Sequence, residues 1–156
     1  MNSTIFSDAT VPPNDAPELQ EVLTRYADSR DGYHQAAELI DHDGLAREFR
    51  RIAARRTRVI EQLETAILVQ GKKPDSEGST EAKLHRWWIE MRTGMSDDEL
   101  SAVLSECLRG ELELERTIAS ARDDSHVMPE HRPLLSEAAE ESKSTATELD
   151  TLLKAL

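Results

Sequence analysis

Cysteine is almost absent from this 156-residue chain, which contains one, Cys107. A single thiol cannot form a disulfide within the chain, so nothing indicates an oxidising compartment and the cytoplasm is the expected location. Glycine and proline are also scarce, at six residues each. Most of them lie outside the segments with periodic apolar residues, which favours long helices joined by few turns.

Long apolar runs and an excess of basic charge are absent as well. No stretch approaches the roughly 20 apolar residues that cross a bilayer, and the first residues lack the basic and apolar regions of a signal peptide. The chain has 31 acidic and 19 basic residues, for a net charge of −12. Because an acidic body repels nucleic acid and anionic membranes, we expect neither as a partner.

Apolar residues recur at steps of three and four along four long segments, the spacing of one helical face. Asp15 and Pro17 resemble a helix start, with a capping carboxylate and a proline in the first turn. Asp43 can cap the second segment, which ends at Gly71 with Pro74 just beyond. No segment alternates with period two over a useful length, so no strand is predicted.

The order of the segments predicts the architecture. Two long helices joined by a minimal corner are followed by a short helix bearing Trp87 and Trp88, and then by two more long helices. This predicts an all-α four-helix bundle with a short additional helix in the long crossover connection. Residues 1–14 are predicted to be a flexible tail and residues 15–156 a single domain.

Several polar residues interrupt the apolar faces of the predicted helices. A buried charge needs a partner, so one explanation is an interior or edge salt bridge, for example Glu111 with Arg56 or with Arg30. The functional alternative makes Glu111 a ligand of a carboxylate-bridged metal centre. The polar residues in core-facing positions are Arg30, Arg56, Glu111, Ser142 and Thr145.

A carboxylate-bridged iron or manganese centre needs a Glu from each of two helices and a Glu-x-x-His from each of the other two. The sequence contains no Glu-x-x-His, so no cofactor is expected unless the alternative holds. No zinc ligand set, phosphate loop or nucleophile elbow is present, and no catalytic residue is assigned. The weak metal-ligand candidates are Glu38, Glu61, Glu64, His85, Glu106 and Glu111.

Six arginines between Arg47 and Arg58 form the one basic stretch. No aromatic residues interleave with them for base stacking. Pairing with carboxylates such as Glu113 and Glu115, within the bundle or across a dimer, is therefore favoured over nucleic acid. Adjacent tryptophans point about 100° apart on a helix, so one of the pair can cover an oligomer contact. A homo-oligomer, with a dimer favoured, is the expected assembly.

Three short motifs occur in an order and spacing that resemble a known family. They are Gly32-Tyr33-x-x-Ala36-Ala37-Glu38, Leu84-His85-Arg86-x-Trp88 and Glu106-Cys107-x-Arg109-Gly110-Glu111. Over about residues 18–155 the chain resembles a bacterial family of uncharacterised four-helix-bundle proteins related to the ferritin-like superfamily. The resemblance implies a ferritin-like bundle and no established activity. It also implies that relatives often carry His at position 147 and Glu at position 62, where this chain has Thr147 and Gln62.

Two functional hypotheses follow from the sequence. The first is a non-catalytic bundle, a scaffolding or stress-associated protein that self-associates, in which the interior polar residues are architectural. Its structural motif residues are Arg56, His85, Arg86, Trp88, Glu106 and Glu111. The second is a ferritin-like metal-dependent oxidase or iron-binding protein. The two differ in whether the polar groups converge as metal ligands.

Overall fold

The computed structural model describes residues 14–78 and 97–156. These ranges contain four long helices and no strand: α1 (Ala16–Leu39), α2 (Asp43–Leu68), α3 (Asp97–Asp123) and α4 (Arg132–Lys154), with a 3-10 turn at Pro129–His131 before α4. The predicted all-α helical bundle is therefore confirmed. None of these helices combines the length and apolar character needed to cross a membrane. The predicted tail up to residue 13 and the Trp-bearing helix lie outside the described residues.

Two apolar clusters fill the interior and reveal the helix directions. One combines the first half of α1, the second halves of α2 and α3, and the start of α4, with Leu23, Leu63 and Ile118 among its buried residues. The other combines the opposite halves, around Phe49 and Leu104. Helices α1 and α4 therefore run in one direction, and α2 and α3 run in the other.

Because α2 and α3 are parallel, the end of α2 and the start of α3 lie at opposite ends of the bundle. The described part of the connection between them follows α1. The Gln20 amide donates to the carbonyl of Asp75 at 2.8 Å, and further along α1 the Arg30 guanidinium donates to the carbonyl of Ser76 at 3.1 Å. The described part of the connection thus runs in the direction that the predicted crossover requires.

Helix α1 begins where the sequence predicts, with Asp15 at its N-cap position and Pro17 in the first turn, but the capping side chains differ from the prediction. Asp15 makes no side-chain cap for α1, because its carboxylate binds Gln70, Met128 and His131 instead. The cap of α2 is His42, whose Nδ1 accepts the Leu45 backbone N–H at 3.1 Å. The predicted caps at Asp15 and Asp43 are therefore wrong, since propensity identifies possible acceptors but not their competing partners.

Helix α2 ends at Leu68, and the predicted stop residue Gly71 lies in the turn that follows, where it gives a paired prediction. Gly71 has φ of +75° with open space around it, while Gly110 lies inside α3 with nothing within 4 Å of an added Cβ. We expect Gly71→Ala to lower the free energy of unfolding by about 1 kcal/mol. Gly110→Ala should raise it by about 0.5–1 kcal/mol, because alanine favours a helix interior. Urea unfolding checks both, and two changes of the same sign would contradict the prediction.

Candidate functional site

Polar side chains from all four helices meet between the two apolar clusters and form what is hereafter the central cluster. α1 contributes two tyrosines, α2 one arginine, α3 one glutamate, and α4 a glutamate, a serine and a threonine. These residues are Tyr26, Tyr33, Arg56, Glu111, Glu141, Ser142 and Thr145. The cluster is the largest polar feature of the described interior.

Arg56 is the centre of this cluster. Its side chain is 0% exposed, and its guanidinium pairs with Glu111, which is 1% exposed, and with Glu141, which is 16% exposed. The guanidinium carbon also lies 5.3 Å and 5.9 Å from the ring centroids of Tyr26 and Tyr33. Burial opposes the charge, but the two carboxylates outweigh it and hold the pKa of Arg56 above its ordinary value. The guanidinium is therefore a permanent buried cation.

Both oxygens of Glu111 are occupied by donors from the protein. Oε1 accepts the Tyr33 hydroxyl at 2.6 Å and also binds Arg56. Oε2 accepts the Ser142 hydroxyl at 2.8 Å. Burial, and then Glu111, raise the pKa of Tyr33 well above its ordinary value. The phenol therefore stays protonated as a donor.

Glu141 connects the cluster to its more exposed edge. Its Oε1 lies 3.4 Å from Arg55 Nε, and Arg55 also donates to the Thr145 hydroxyl at 3.1 Å and to Glu148 at 3.0 Å. Burial raises the pKa of Glu141, and Arg56 opposes that rise. One cluster atom, Arg56 Nε, is buried without a hydrogen-bond partner.

Helical periodicity predicts burial correctly for most of the polar residues that it places in core-facing positions. Arg56, Glu111, Ser142 and Thr145 are all buried, and Arg56 with Glu111 is one of the two pairs that the sequence offered. Arg30 is not part of the interior, because it pairs with its neighbour Asp31 and with the crossover segment.

Three members of the cluster were not predicted from the sequence. The two tyrosines count as apolar residues in a periodicity pattern, so the pattern does not mark their hydroxyl groups as polar. Glu141 is one of many carboxylates on α4. Its position four residues before Thr145 is the signal that could have identified it, since residues four apart lie on one helical face.

The candidate metal ligands do not converge within the described residues. Glu38 and Glu61 are exposed. Glu64 accepts the Ser76 hydroxyl at 2.8 Å, and Glu106 pairs with Arg109 on its own helix. Glu111 alone lies in the central cluster. His85, Arg86 and Trp88 fall outside the described ranges.

A carboxylate-bridged iron or manganese centre does not fit the central cluster. Such a centre needs carboxylate oxygens that are open to metal and imidazole ligands beside them. Here a guanidinium binds the two carboxylates that face the interior, and both oxygens of Glu111 already accept protein donors. No histidine belongs to the cluster as the described residues form it.

The Tyr33 hydroxyl gives a matched test of the charge in this cluster. A hydrogen bond to a charged group contributes about 1.5–3 kcal/mol and a neutral one about 1 kcal/mol. Tyr33 donates to a carboxylate at 2.6 Å, whereas Tyr26 donates at 2.8 Å to the backbone carbonyl of Ala138 and approaches the Glu141 carboxylate only at 3.4 Å. We expect Tyr33→Phe to lower the free energy of unfolding by about 2 kcal/mol and Tyr26→Phe by about half as much. Equal losses in urea unfolding would contradict this ranking.

Comparison with known proteins gives the family. A family model described as Domain of unknown function (DUF2383) matches residues 16–124, which is most of the chain. The chain belongs to the DUF2383 family. The match covers α1 to α3 and ends before α4, so the three residues of the central cluster on α4 lie beyond it. Searches among curated proteins and among solved structures found no match.

Two of the sequence motifs meet inside this DUF2383 bundle. Tyr33 comes from the first motif and Glu111 from the third, and their side chains form the 2.6 Å hydrogen bond of the central cluster. Glu38 and Gly110 from the same motifs are exposed. The motifs therefore mix one interior contact with surface positions.

The two departures from the family pattern concern surface positions. Gln62 and Thr147 are both exposed. A Glu at position 62 or a His at position 147 would therefore face away from the central cluster.

Proposed function

We propose that this DUF2383 protein is a non-catalytic, ferritin-like helical bundle that acts as a self-associating scaffold, with the central cluster as its architectural element. The observation that carries the proposal is the buried Arg56 guanidinium, which binds Glu111 of α3 and Glu141 of α4. Three helices are thereby joined by one side chain. A stress-associated role stays a prediction, as does the cytoplasmic location.

The connectivity supports the ferritin-like part of the proposal. Helices α1 and α4 run opposite to α2 and α3, and one long crossover joins the two parallel helices. Ferritin-like folds are four-helix bundles with one such crossover. Their metal ligands project from facing helices into the bundle core, where this chain has the guanidinium.

The state of the interior groups supports a non-catalytic role. Both Nη nitrogens of Arg56 and both oxygens of Glu111 are engaged with other protein groups. Burial, and then Glu111, raise the pKa of the Cys107 thiol far above its ordinary value. Because the thiolate is the nucleophilic form, Cys107 is a poor nucleophile. The polar groups of the interior thus bind one another, which supports a structural role for them.

Metal content tests the non-catalytic proposal. Protein purified after aerobic growth with added iron or manganese is analysed for both elements, alongside Glu111→Gln. We expect the two proteins to have the same metal content, because the Glu111 carboxylate pairs with the Arg56 guanidinium and does not bind a metal. Stoichiometric iron or manganese that is lost in Glu111→Gln would contradict the proposal. A metal bound elsewhere should be present in both proteins and leaves the difference between them unchanged.

Charge complementarity supports self-association. The outer face of α2 exposes Arg47, Arg50, Arg51 and Arg58, and only Arg51 has an ion-pair partner among the described residues, Glu48. Arg55 turns instead to Glu148 of α4, and Glu113 pairs with Arg109. In a chain of net charge −12, a second copy supplies abundant carboxylates for this basic face.

Sedimentation equilibrium tests the assembly. We expect a dimer that dissociates more readily at high salt, and more readily still in Arg47→Glu/Arg58→Glu. The matched control is Arg122→Glu, because Arg122 is a half-exposed arginine on α3 outside the basic face. A strict monomer at high concentration would contradict self-association. A dimer that responds equally to both variants would contradict this face.

A further inference from the structure

A second group of ligand-type side chains lies at the end of the bundle where α1 begins. It comprises Glu18 from the first turn of α1 and Asp124 and His126 from the loop between α3 and α4. One possible ligand atom from each residue lies within 4.8 Å of the other two. Neither the family nor the proposed scaffold role assigns a function to this group.

The loop that carries two of these residues is fixed to the rest of the protein. The buried Asp15 carboxylate accepts the Met128 backbone N–H at 2.8 Å. Arg132 donates to the carbonyls of Asp124 and Val127, both at 3.3 Å, and the Val127 side chain is buried. Asp124 and His126 are therefore held beside α1 before any ligand arrives, which reduces the ordering cost of binding.

Glu18 provides an independent sign of a missing partner. Its Oε2 atom is buried and has no hydrogen-bond partner. A buried carboxylate oxygen without a donor is costly, and such a group in a native protein calls for an ion or water that satisfies it. A cation bound to Oε2 would satisfy this oxygen.

We propose that Glu18, Asp124 and His126 bind a divalent transition-metal ion of the zinc class. Two carboxylates and one imidazole are suitable ligands for Zn²⁺, whereas Ca²⁺ prefers six to eight oxygens. Ligands about 2.1 Å from a tetrahedral ion lie about 3.4 Å apart. Closing the present spacing needs small side-chain rotations. The His126 side chain is 76% exposed, and its ring would exchange its present 2.8 Å hydrogen bond to Asp124 for the ion. Water supplies the remaining ligand.

The ion would join the start of α1 to the α3–α4 loop, and its binding is measured with Zn²⁺ alone. Isothermal titration calorimetry on the full chain should give one site per chain. His126→Ala and Glu18→Gln should each weaken binding by at least about tenfold, since even outer-shell partners of a metal contribute about 10–100-fold. His34→Ala is the matched control, because His34 is exposed on α1 and outside the group.

Two results would overturn the proposal. One is the lack of saturable Zn²⁺ binding at concentrations up to about 1 mM, a range that corresponds to very weak association. The other is saturable binding that persists unchanged in His126→Ala and Glu18→Gln. Circular dichroism confirms that each variant is folded. Thermal unfolding adds a second readout, since Zn²⁺ should raise the melting temperature of the wild type and of His34→Ala but not of His126→Ala.

Discussion

Arg56→Met is expected to lower the free energy of unfolding by about 3–5 kcal/mol, the largest effect predicted for this protein. Methionine fills much of the space of the arginine stem but leaves the Glu111 carboxylate, 1% exposed, without its cation. Removing one partner of a buried ion pair is costly because the other charge cannot reach water. Urea unfolding followed by circular dichroism measures the loss.

Arg58→Met is the matched control for this substitution. Arg58 lies two residues away on the same helix but is exposed and has no ion-pair partner among the described residues. Surface changes of this kind stay within about 0.5 kcal/mol. A loss below about 1 kcal/mol for Arg56→Met, or equal losses for the two variants, would contradict an architectural role for the buried guanidinium.

Asp15→Asn is expected to lower the free energy of unfolding by about 2–3 kcal/mol at neutral pH, because hydrogen bonds to a charged acceptor are the strong ones. The Asp15 carboxylate is buried and binds Gln70 at 2.8 Å, the Met128 N–H at 2.8 Å and His131 Nδ1 at 2.7 Å. It thereby joins the start of α1 to the end of α2 and to the α3–α4 loop.

The stabilisation by Asp15 should depend on pH in a defined direction. Burial alone would raise the pKa of Asp15, but hydrogen bonds from His131, Met128 and Gln70 outweigh burial and hold this pKa below the ordinary value of 3.8. The unfolded chain therefore takes up the proton first as the pH falls. The contribution of Asp15 is complete well above pH 3.8 and is lost as the pH falls through the lowered pKa of the folded state.

Comparing two proteins separates this effect from titrating groups that do not contact Asp15. The difference in unfolding free energy between wild type and Asp15→Asn should narrow as the pH falls below about 4. Asp123→Asn serves as the control, because Asp123 is 78% exposed at its side chain. A difference that widens toward acidic pH would contradict the prediction.

Periodicity predicts much of the fold because burial is a local property of a helical face. The apolar steps of α2 placed Arg56 in a core-facing position, and the same rule placed Glu111 on α3 and Ser142 on α4. All three are buried. The direction of the crossover followed from one minimal corner and one long connection, which leave few arrangements for four helices.

What periodicity could not predict is which polar groups meet across helices. Asp15 has the features of a helix cap, yet its partners lie 55, 113 and 116 residues away in the chain. The partners of Glu141 and Arg30 were equally unpredictable. The helical face of a residue indicates the direction of its side chain but not the group that the side chain contacts. The group of Glu18, Asp124 and His126 likewise depends on a loop docking beside a distant helix.

The central claim is that the buried charges of Arg56 and Glu111 stabilise each other. A double-mutant cycle tests this claim most directly. The free energy of unfolding is measured for wild type, Arg56→Met, Glu111→Gln and the double variant. We predict that the double variant is more stable than Arg56→Met alone, because the neutral amide removes the buried unpaired charge while it can still accept the Tyr33 hydroxyl. A double variant that loses the full sum of the two single losses would contradict the claim.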